Sequence, residues 1–598
     1  MSDQFTPTGN RARDAWLRAL WLTAPIASNP TVTLPVVIER IAEASPARIA
    51  LVGQSTSLTY RGLTVRTRHY ARWALRQRIG RGDVVCLLMR NCPEYLAIWL
   101  GITRVCGVAA LVNTGLVGEA LRHAIETVRP SHLIVGSGLV EAVDGLLPRL
   151  CPKLSVWVHG QDHPNHARID EEIGEPVDGG PGSVEEPTPV VADRALCIYT
   201  SGTTGLPKAA NVSHLRLLQW SRWFAGMMDA RASDRMYNCL PMYHSVGGVV
   251  ATGAMLVSGG SVVVRERFST SRFWDDVAES GCTVFQYIGE LCRYLVNSPP
   301  HPRENAHRLR LSCGNGLRPD IWNEFRQRFR IPQNLEFYAA TEANFSLYNC
   351  EDEPGSVGRI PPFLAHRFPV ALVRFDVTAG EPIRDEDGRC IRCGIDEIGE
   401  AIGKIPDDGS NAGNPFEGYT DPEASAQKVL RNVFVTGDFW FRSGDLMRKD
   451  ARGFFYFVDR VGDTFRWKGE NVSTAQVAEA IMACPGVREA VVYGVSVPGT
   501  DGRAGMAAIV TGSGFDLAVL RRHLAVHLAE NARPLFVRVC AAIDVTATFK
   551  HNKRQLARDG YDPDVTADPI YFDDRAGGAF VPIDAALHRR IEAGEIRL

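Results

Sequence analysis

Apolar residues along the chain fall into two alternating patterns. Residues 49–52, 57–60, 83–89, 108–112, 133–135, 154–158 and 195–199 are short compact runs, the mark of buried strands. Residues 34–43, the stretch from Tyr60 through Ala74 and Leu75, the stretch from Pro93, and residues 118–127 carry apolar side chains at helical spacing instead. This alternation predicts parallel α/β layers. Leu217, Trp220, Phe224 and Met227 give one further packed helix face. From 368 to 405 the pattern changes to short strands with turns such as Asp387-Gly388, which predicts a small β subdomain. A last strand at 453–460 ends in Asp459-Arg460. Beyond it, strands at 487–492, 507–510 and 537–543 surround helices at 516–529 and 551–558, and Ser473 is placed to cap a helix running through Ile481. The expected division is an N-terminal extension over 1–29, a large domain over 30–458, and a small mobile α+β lid over 459–598. Residues 174–189, rich in Gly, Pro and Glu, read as a surface linker.

Composition narrows the function. A chain of 598 residues with 45% apolar content holds at least two cores. Sixty-six basic against 68 acidic residues leave no basic excess for a nucleic acid. The fourteen cysteines lack a disulfide framework, and Cys390 with Cys393 lacks the second pair of a zinc site, so reduced thiols in a cytoplasmic protein are expected. Residues 97–116 are apolar but carry Arg104 and break at Asn113-Thr114-Gly115, which predicts a buried helix and strand rather than a span. Peripheral membrane contact and oligomeric state stay open.

The chemistry concentrates in residues 197–208, Cys-Ile-Tyr-Thr-Ser-Gly-Thr-Thr-Gly-Leu-Pro-Lys. Gly202 and Gly205 let backbone amides approach a ligand, Thr200, Ser201, Thr203 and Thr204 add hydroxyls, and Lys208 adds charge, so the loop suits a polyphosphate. Leu206 and Pro207 separate the second glycine from the lysine, which excludes a Walker A loop. Tyr243 and His244, ahead of Gly247-Gly248, could wall a carboxylate pocket. Gly314-Asn315-Gly316 offers open backbone to a planar base. Tyr338, Ala339, Ala340, Thr341 and Glu342 supply an aromatic to cover adenine, a hydroxyl for phosphate and a carboxylate suited to Mg²⁺. Ser443-Gly444-Asp445 reads as a tight turn presenting a carboxylate to two ribose hydroxyls.

Residues 199–208 resemble the phosphate-loop signature of the adenylate-forming enzymes, which include acyl-CoA synthetases, firefly luciferase and peptide-synthetase adenylation domains. Residues 198–210, 314–317, 465–473, 532–534 and 548–550 look like the fatty acid transport protein and very-long-chain acyl-CoA synthetase branch. The resemblance implies an ATP- and Mg²⁺-dependent ligase that joins a long- or very-long-chain fatty acid to AMP and then to coenzyme A. It implies that Tyr199, Thr341 and the 200–208 loop serve the nucleotide, that Glu342 with Thr204 holds Mg²⁺, and that Asp445 holds ribose with Arg460 reaching ribose or phosphate. Asp459 becomes the hinge, Lys550 the mobile catalytic lysine with Lys553 as its near rival, and Lys468-Gly469 the face offered in the second step. Tyr243 and His244 lie at the acyl end, and Ala339 stands where relatives usually have Gly, so its methyl narrows the acyl channel. His551 replaces a residue that is apolar in relatives. The alternatives are an uptake carrier with vestigial catalysis, or an adenylating enzyme that passes its acyl group to a carrier protein.

Overall fold

Val84–Leu88 and Val108–Leu111 are buried at every residue, as strands covered on both faces must be. They belong to a seven-stranded sheet that also contains His132–Gly136, Ser155–His159, Ala167–Arg168, Arg194–Ser201 and Pro207–Ser213. Every neighbouring pair is parallel except the last, which is an antiparallel hairpin. The computed structural model describes residues 8–174, 187–201, 206–377, 379–406, 416–468, 470–498, 500, 502–544 and 553–596. It forms two units, 1–368 with 404–429 and 369–403 with 430–598.

The first unit holds that sheet and an eight-stranded one whose central strands, from Ile49–Val52 through Asn334–Ala339, run parallel. The helix Pro93–Arg104 is buried from Pro93 to Thr103 except at Glu94. It packs so closely on Tyr60–Arg76 that a Cβ at Gly101 would lie 2.5 Å from the Cβ of Tyr70. The apolar stretch 97–116 is therefore interior helix and strand, as its breaks predict, and no helix among the described residues is long and apolar enough to cross a membrane. Residues set apart in sequence as an extension contain the helix Arg11–Thr23, capped by Asn10. Its Trp16 is 2% exposed and meets Trp223, Tyr348 and Phe368 edge-on or tilted. Gly226 is small because Ala19 of that helix lies against it, with 2.4 Å between its backbone and an added Cβ.

In the second unit, Val487–Val495, Ala504–Thr511, Phe536–Cys540, Ile570–Asp574 and Ala579–Pro582 form one sheet, covered by helices including Thr474–Met482 and Leu517–His527. The last two strands and the helix Ala585–Glu592 have no counterpart in the pattern reading. Two local expectations are corrected. Pro207–Ser213 is a strand rather than loop, hydrogen-bonded along Arg194–Ser201. Ser443-Gly444-Asp445 is no chain reversal: it lies inside the strand Phe439–Lys449, where Gly444 takes φ +76°.

Candidate active site

The hairpin brings Thr200 opposite Lys208 and Ser201 opposite Pro207. Gly202, Thr203, Thr204 and Gly205 lie outside the described residues. Along the outer edge of the hairpin runs the segment from 416 to 420, where the Asn211 amide donates to Gly418 O at 2.9 Å and the Thr420 amide to Ala209 O at 2.9 Å. This places Tyr419, which the sequence reading missed, at the centre of the candidate residues. Its hydroxyl donates to Glu342 Oε1 at 2.8 Å, Thr200 hydrogen-bonds the same phenol, and the Lys208 ammonium sits 5.7 Å from its ring centroid. Burial, and then Glu342, push the phenol far above its ordinary range, so it stays a neutral donor.

Glu342 is itself buried, with Lys428 Nζ 4.0 Å from Oε1. Its Oε2 meets no protein donor among the described residues, which leaves one carboxylate oxygen for a cation. Beneath lies Arg216, fully buried, donating to the Ala343 carbonyl and interacting with Glu417 and Glu342. Glu417 in turn accepts from the backbone and hydroxyl of Ser213. Tyr199 takes another part. Its ring is 4% exposed in the core and its hydroxyl donates to Ala124 O at 2.6 Å, so the side chain anchors the strand rather than facing a nucleotide.

Thr341 joins a second element through its hydroxyl, 3.1 Å from Ser245 Oγ. Ser245 follows Tyr243 and His244, whose rings lie 4.6 Å apart, and precedes a widened helical turn over Val246–Val250. The turn depends on its glycines: a Cβ at Gly247 would lie 2.4 Å from Pro241 O, and one at Gly248 2.1 Å from Met242 O. Tyr243 is 3% exposed and belongs to the core.

The Gly314-Asn315-Gly316 segment ends the strand Leu311–Asn315 beside Asn334–Ala339. Gly316 has φ +82°, and its amide and that of Leu317 both donate to Glu336 Oε1. Glu336 is fully buried, with the Tyr287 hydroxyl at 2.5 Å and that hydroxyl 2.9 Å from Asn334 Oδ1. Burial drives its carboxyl up to about 8, against the pull of those hydrogen bonds. Nothing in a strand pattern announces a buried carboxylate that fixes a loop one strand away. Asn315 Oδ1 is buried without a hydrogen-bond partner among the described residues, a spare acceptor on the segment. Tyr338 is half-buried with its ring 5.8 Å from Phe345, and Ala339 and Ala340 stand at the more open strand end.

Within the second unit, Asp445 and Arg460 pair across two strands, with Nε 3.7 Å from Oδ1. The Gly444 amide donates to Glu400 and Ser443 Oγ donates to Ala401 O, fixing the approach to Asp445. Asp459 is buried and accepts from the Thr474 amide at 2.6 Å, at the N-terminus of the helix Thr474–Met482. Burial raises its carboxyl and Lys553 opposes that shift. Lys553 Nζ is held by Asp463 at 3.1 Å and Thr474 Oγ1 at 3.0 Å. Lys468 is exposed in the left-handed region at φ +51°. Lys550 and Gly469 lie outside the described residues.

Residues 38–379 match the family model of the AMP-binding enzymes, and residues 476–550 that of the AMP-binding enzyme C-terminal domain. Long-chain fatty acid transport protein 1 of Mus musculus is 40% identical over 580 residues, 95% of this chain and 88% of that protein. The medium/long-chain-fatty-acid–CoA ligase FadD6 of Mycobacterium tuberculosis is 39% identical over 552 residues, 92% of this chain and 89% of that protein. Among solved structures, the anthranilate CoA ligase AuaEII in complex with anthranoyl-AMP superposes with a TM-score of 0.75 at 19% identity, covering 89% of this chain and 98% of that one.

Proposed function

The chain belongs to the AMP-binding enzyme family, and from that premise we propose an AMP-forming ligase that activates long- or very-long-chain fatty acids as acyl-adenylates and passes them to coenzyme A. The observation that carries this reading is the convergence on Tyr419: a hydroxyl from the phosphate hairpin, a lysine beside it and the Glu342 carboxylate all meet one phenol. Such a cluster suits a nucleotide triphosphate. The relatives' names supply the fatty acid.

Carboxylate attack on the α-phosphorus of ATP brings two anions together, and pyrophosphate leaves carrying the charge of the broken P–O bond. Positive groups and preorganised donors lower that barrier. In this reading Lys208, Thr200 and Thr341 serve the phosphates, Lys550 is assigned to the α-phosphate, and Asp445 is assigned to the ribose hydroxyls with Arg460 to ribose or phosphate. The donor set fits Mg²⁺, which prefers few carboxylates and keeps water and phosphate as its other ligands; Glu342 through Oε2, with Thr204, would hold it, and when bound it neutralises phosphate charge. In the second step the coenzyme A thiolate attacks the acyl carbonyl and AMP leaves. We place a hinge at Asp459, so that the segment beyond it withdraws Lys550 and presents Lys468-Gly469 for thioester formation. All fourteen cysteines are unpaired, which fits a reducing cytoplasm.

Exchange of labelled pyrophosphate into ATP, dependent on a fatty acid, followed by thioester formation with coenzyme A, is the expected result. A panel of acids from acetate to very long chains that never yields an AMP ester refutes the reading. Exchange without transfer to coenzyme A, but with transfer to a phosphopantetheinyl protein, replaces the acceptor.

A further inference from the structure

Away from the nucleotide residues, two imidazoles and a carboxylate meet at one point of the first unit. Asp144 ends the helix Val140–Asp144, which follows the strand His132–Gly136. His163 and His166 flank a turn after the neighbouring strand Ser155–His159. Pro164 and Asn165 occupy the two central positions, residues that favour such a turn, and the two histidines close it as an antiparallel bridge. Their rings stack 5.1 Å apart at 12°. Both aim Nε2 at Asp144, His166 at 2.7 Å from Oδ1 and His163 at 3.5 Å from Oδ2. One ligand atom from each residue lies within 4.8 Å of the other two.

We propose that Asp144, His163 and His166 form a divalent transition-metal site that takes Zn²⁺, with water as fourth ligand. Two imidazole nitrogens and one carboxylate oxygen are the donor set that Zn²⁺ takes in tetrahedral geometry. Bonds of about 2.0–2.1 Å put tetrahedral ligands about 3.3 Å apart; His163 Nε2 is near that spacing at 3.5 Å from Oδ2, while His166 Nε2, at 2.7 Å from Oδ1, is at hydrogen-bond distance and moves outward when a metal enters. Asp144 has no other ion-pair partner among the described residues. The nearby Arg168 is taken by Asp162, Asp170 and Glu171. The Asn165 amide approaches Nδ1 of His163 only to 3.4 Å, beyond the usual 2.7–3.2 Å, and does not fix that ring's tautomer. The site lies at the carboxyl edge of the seven-stranded sheet, four strand positions from the phosphate hairpin, about 19 Å at ordinary strand spacing. It is separate from the magnesium assigned to Glu342. A bound metal would tie the end of the helix to the turn.

The test uses the untagged full-length protein, stripped with chelator and free of nucleotide, titrated with Zn²⁺ alone against a chromophoric chelator. One equivalent is expected, with Co²⁺ giving visible d–d absorption of tetrahedral intensity. His163→Ala and His166→Ala each weaken binding by more than the roughly 10–100-fold that loss of an outer-shell partner costs. Cys151→Ser keeps the equivalent, since that exposed thiol is not a ligand. Zn²⁺ raises the melting temperature of wild type and Cys151→Ser but not of Asp144→Asn, while circular dichroism shows all variants folded. Wild type that takes up no equivalent, or a His163→Ala/His166→Ala double variant that takes up as many as wild type, overturns the site and leaves a histidine pair hydrogen-bonded to Asp144.

Discussion

Tyr419 and Glu336 show how single buried groups set the chemistry of the first unit. The Tyr419 phenol holds Glu342 by one oxygen, and a hydrogen bond to a charged group contributes about 1.5–3 kcal/mol. Tyr419→Phe is therefore expected to slow fatty-acid-dependent pyrophosphate exchange by about ten-fold or more, and Glu342→Gln by about 10²–10³-fold. An unchanged exchange rate in both removes Glu342 from the reaction. Glu336 makes a different kind of prediction. Kept neutral, its carboxyl can donate to the Tyr287 oxygen while Tyr287 donates to Asn334, with Oε1 still accepting both loop amides. With its folded value raised to about 8, the native state binds one more proton than the unfolded chain between about pH 4.5 and 8. Stability therefore falls as pH rises through that window, and the full penalty stands above it. Glu336→Gln supplies the same donor and acceptor without the charge. Its melting temperature should match wild type near pH 5 and exceed it at pH 8.5, a gain of more than about 1 kcal/mol; a variant less stable at pH 8.5 assigns Glu336 an ionised role.

At the scale of elements, the widened turn over Val246–Val250 positions Ser245 against Thr341 through two glycines that admit no side chain. Gly248→Ala forces its methyl onto the Met242 carbonyl, and such overpacking costs about 1–3 kcal/mol. The expected result is a lower melting temperature and a KM that rises more for the fatty acid than for ATP; equal rises detach this turn from the acyl side. The central strands of the seven-stranded sheet were legible in sequence because buried parallel strands leave uninterrupted apolar runs, as at Val84–Leu88, whereas Arg235–Asn238, Ser261–Val264 and Val284–Ile288 of the eight-stranded sheet were not read as strands. Pro207–Ser213 was not, since Lys208, Ala209, Ala210 and Asn211 carry weak strand preference and the strand exists by pairing with Arg194–Ser201. Gly444 signalled a turn, yet its positive φ is absorbed within a strand. Tyr419 and Ser245 escaped notice for another reason: each acquires its part from a residue about eighty to a hundred positions away, Glu342 and Thr341, and periodicity carries no record of such contacts. Residues 199–208, by contrast, announce themselves locally, because an anion loop must concentrate its hydroxyls and glycines in one stretch.

For the molecule as a whole, the proposed reaction assigns different lysines to its two halves, and that division can be measured. Lys553 is committed to Asp463 and Thr474 at the base of the helix Thr474–Met482, so its ammonium serves the second unit's own packing. Lys550 carries the catalytic assignment. Lys550→Ala is expected to slow adenylation by about 10²–10³-fold while thioester formation from supplied acyl-adenylate continues near the wild-type rate. Lys468→Ala should do the reverse, sparing pyrophosphate exchange and slowing transfer to coenzyme A. Lys553→Ala should lower the melting temperature and change both half-reactions by the same small factor, since a partly exposed ion pair contributes about 0–1 kcal/mol. Should Lys553→Ala reproduce the selective adenylation defect and Lys550→Ala leave exchange intact, the two lysines exchange roles, and the bonds to Asp463 and Thr474 must open before ATP is used. Should Lys550→Ala damage both half-reactions equally, the lysine belongs to a fixed part of the site and the hinge at Asp459 loses its purpose.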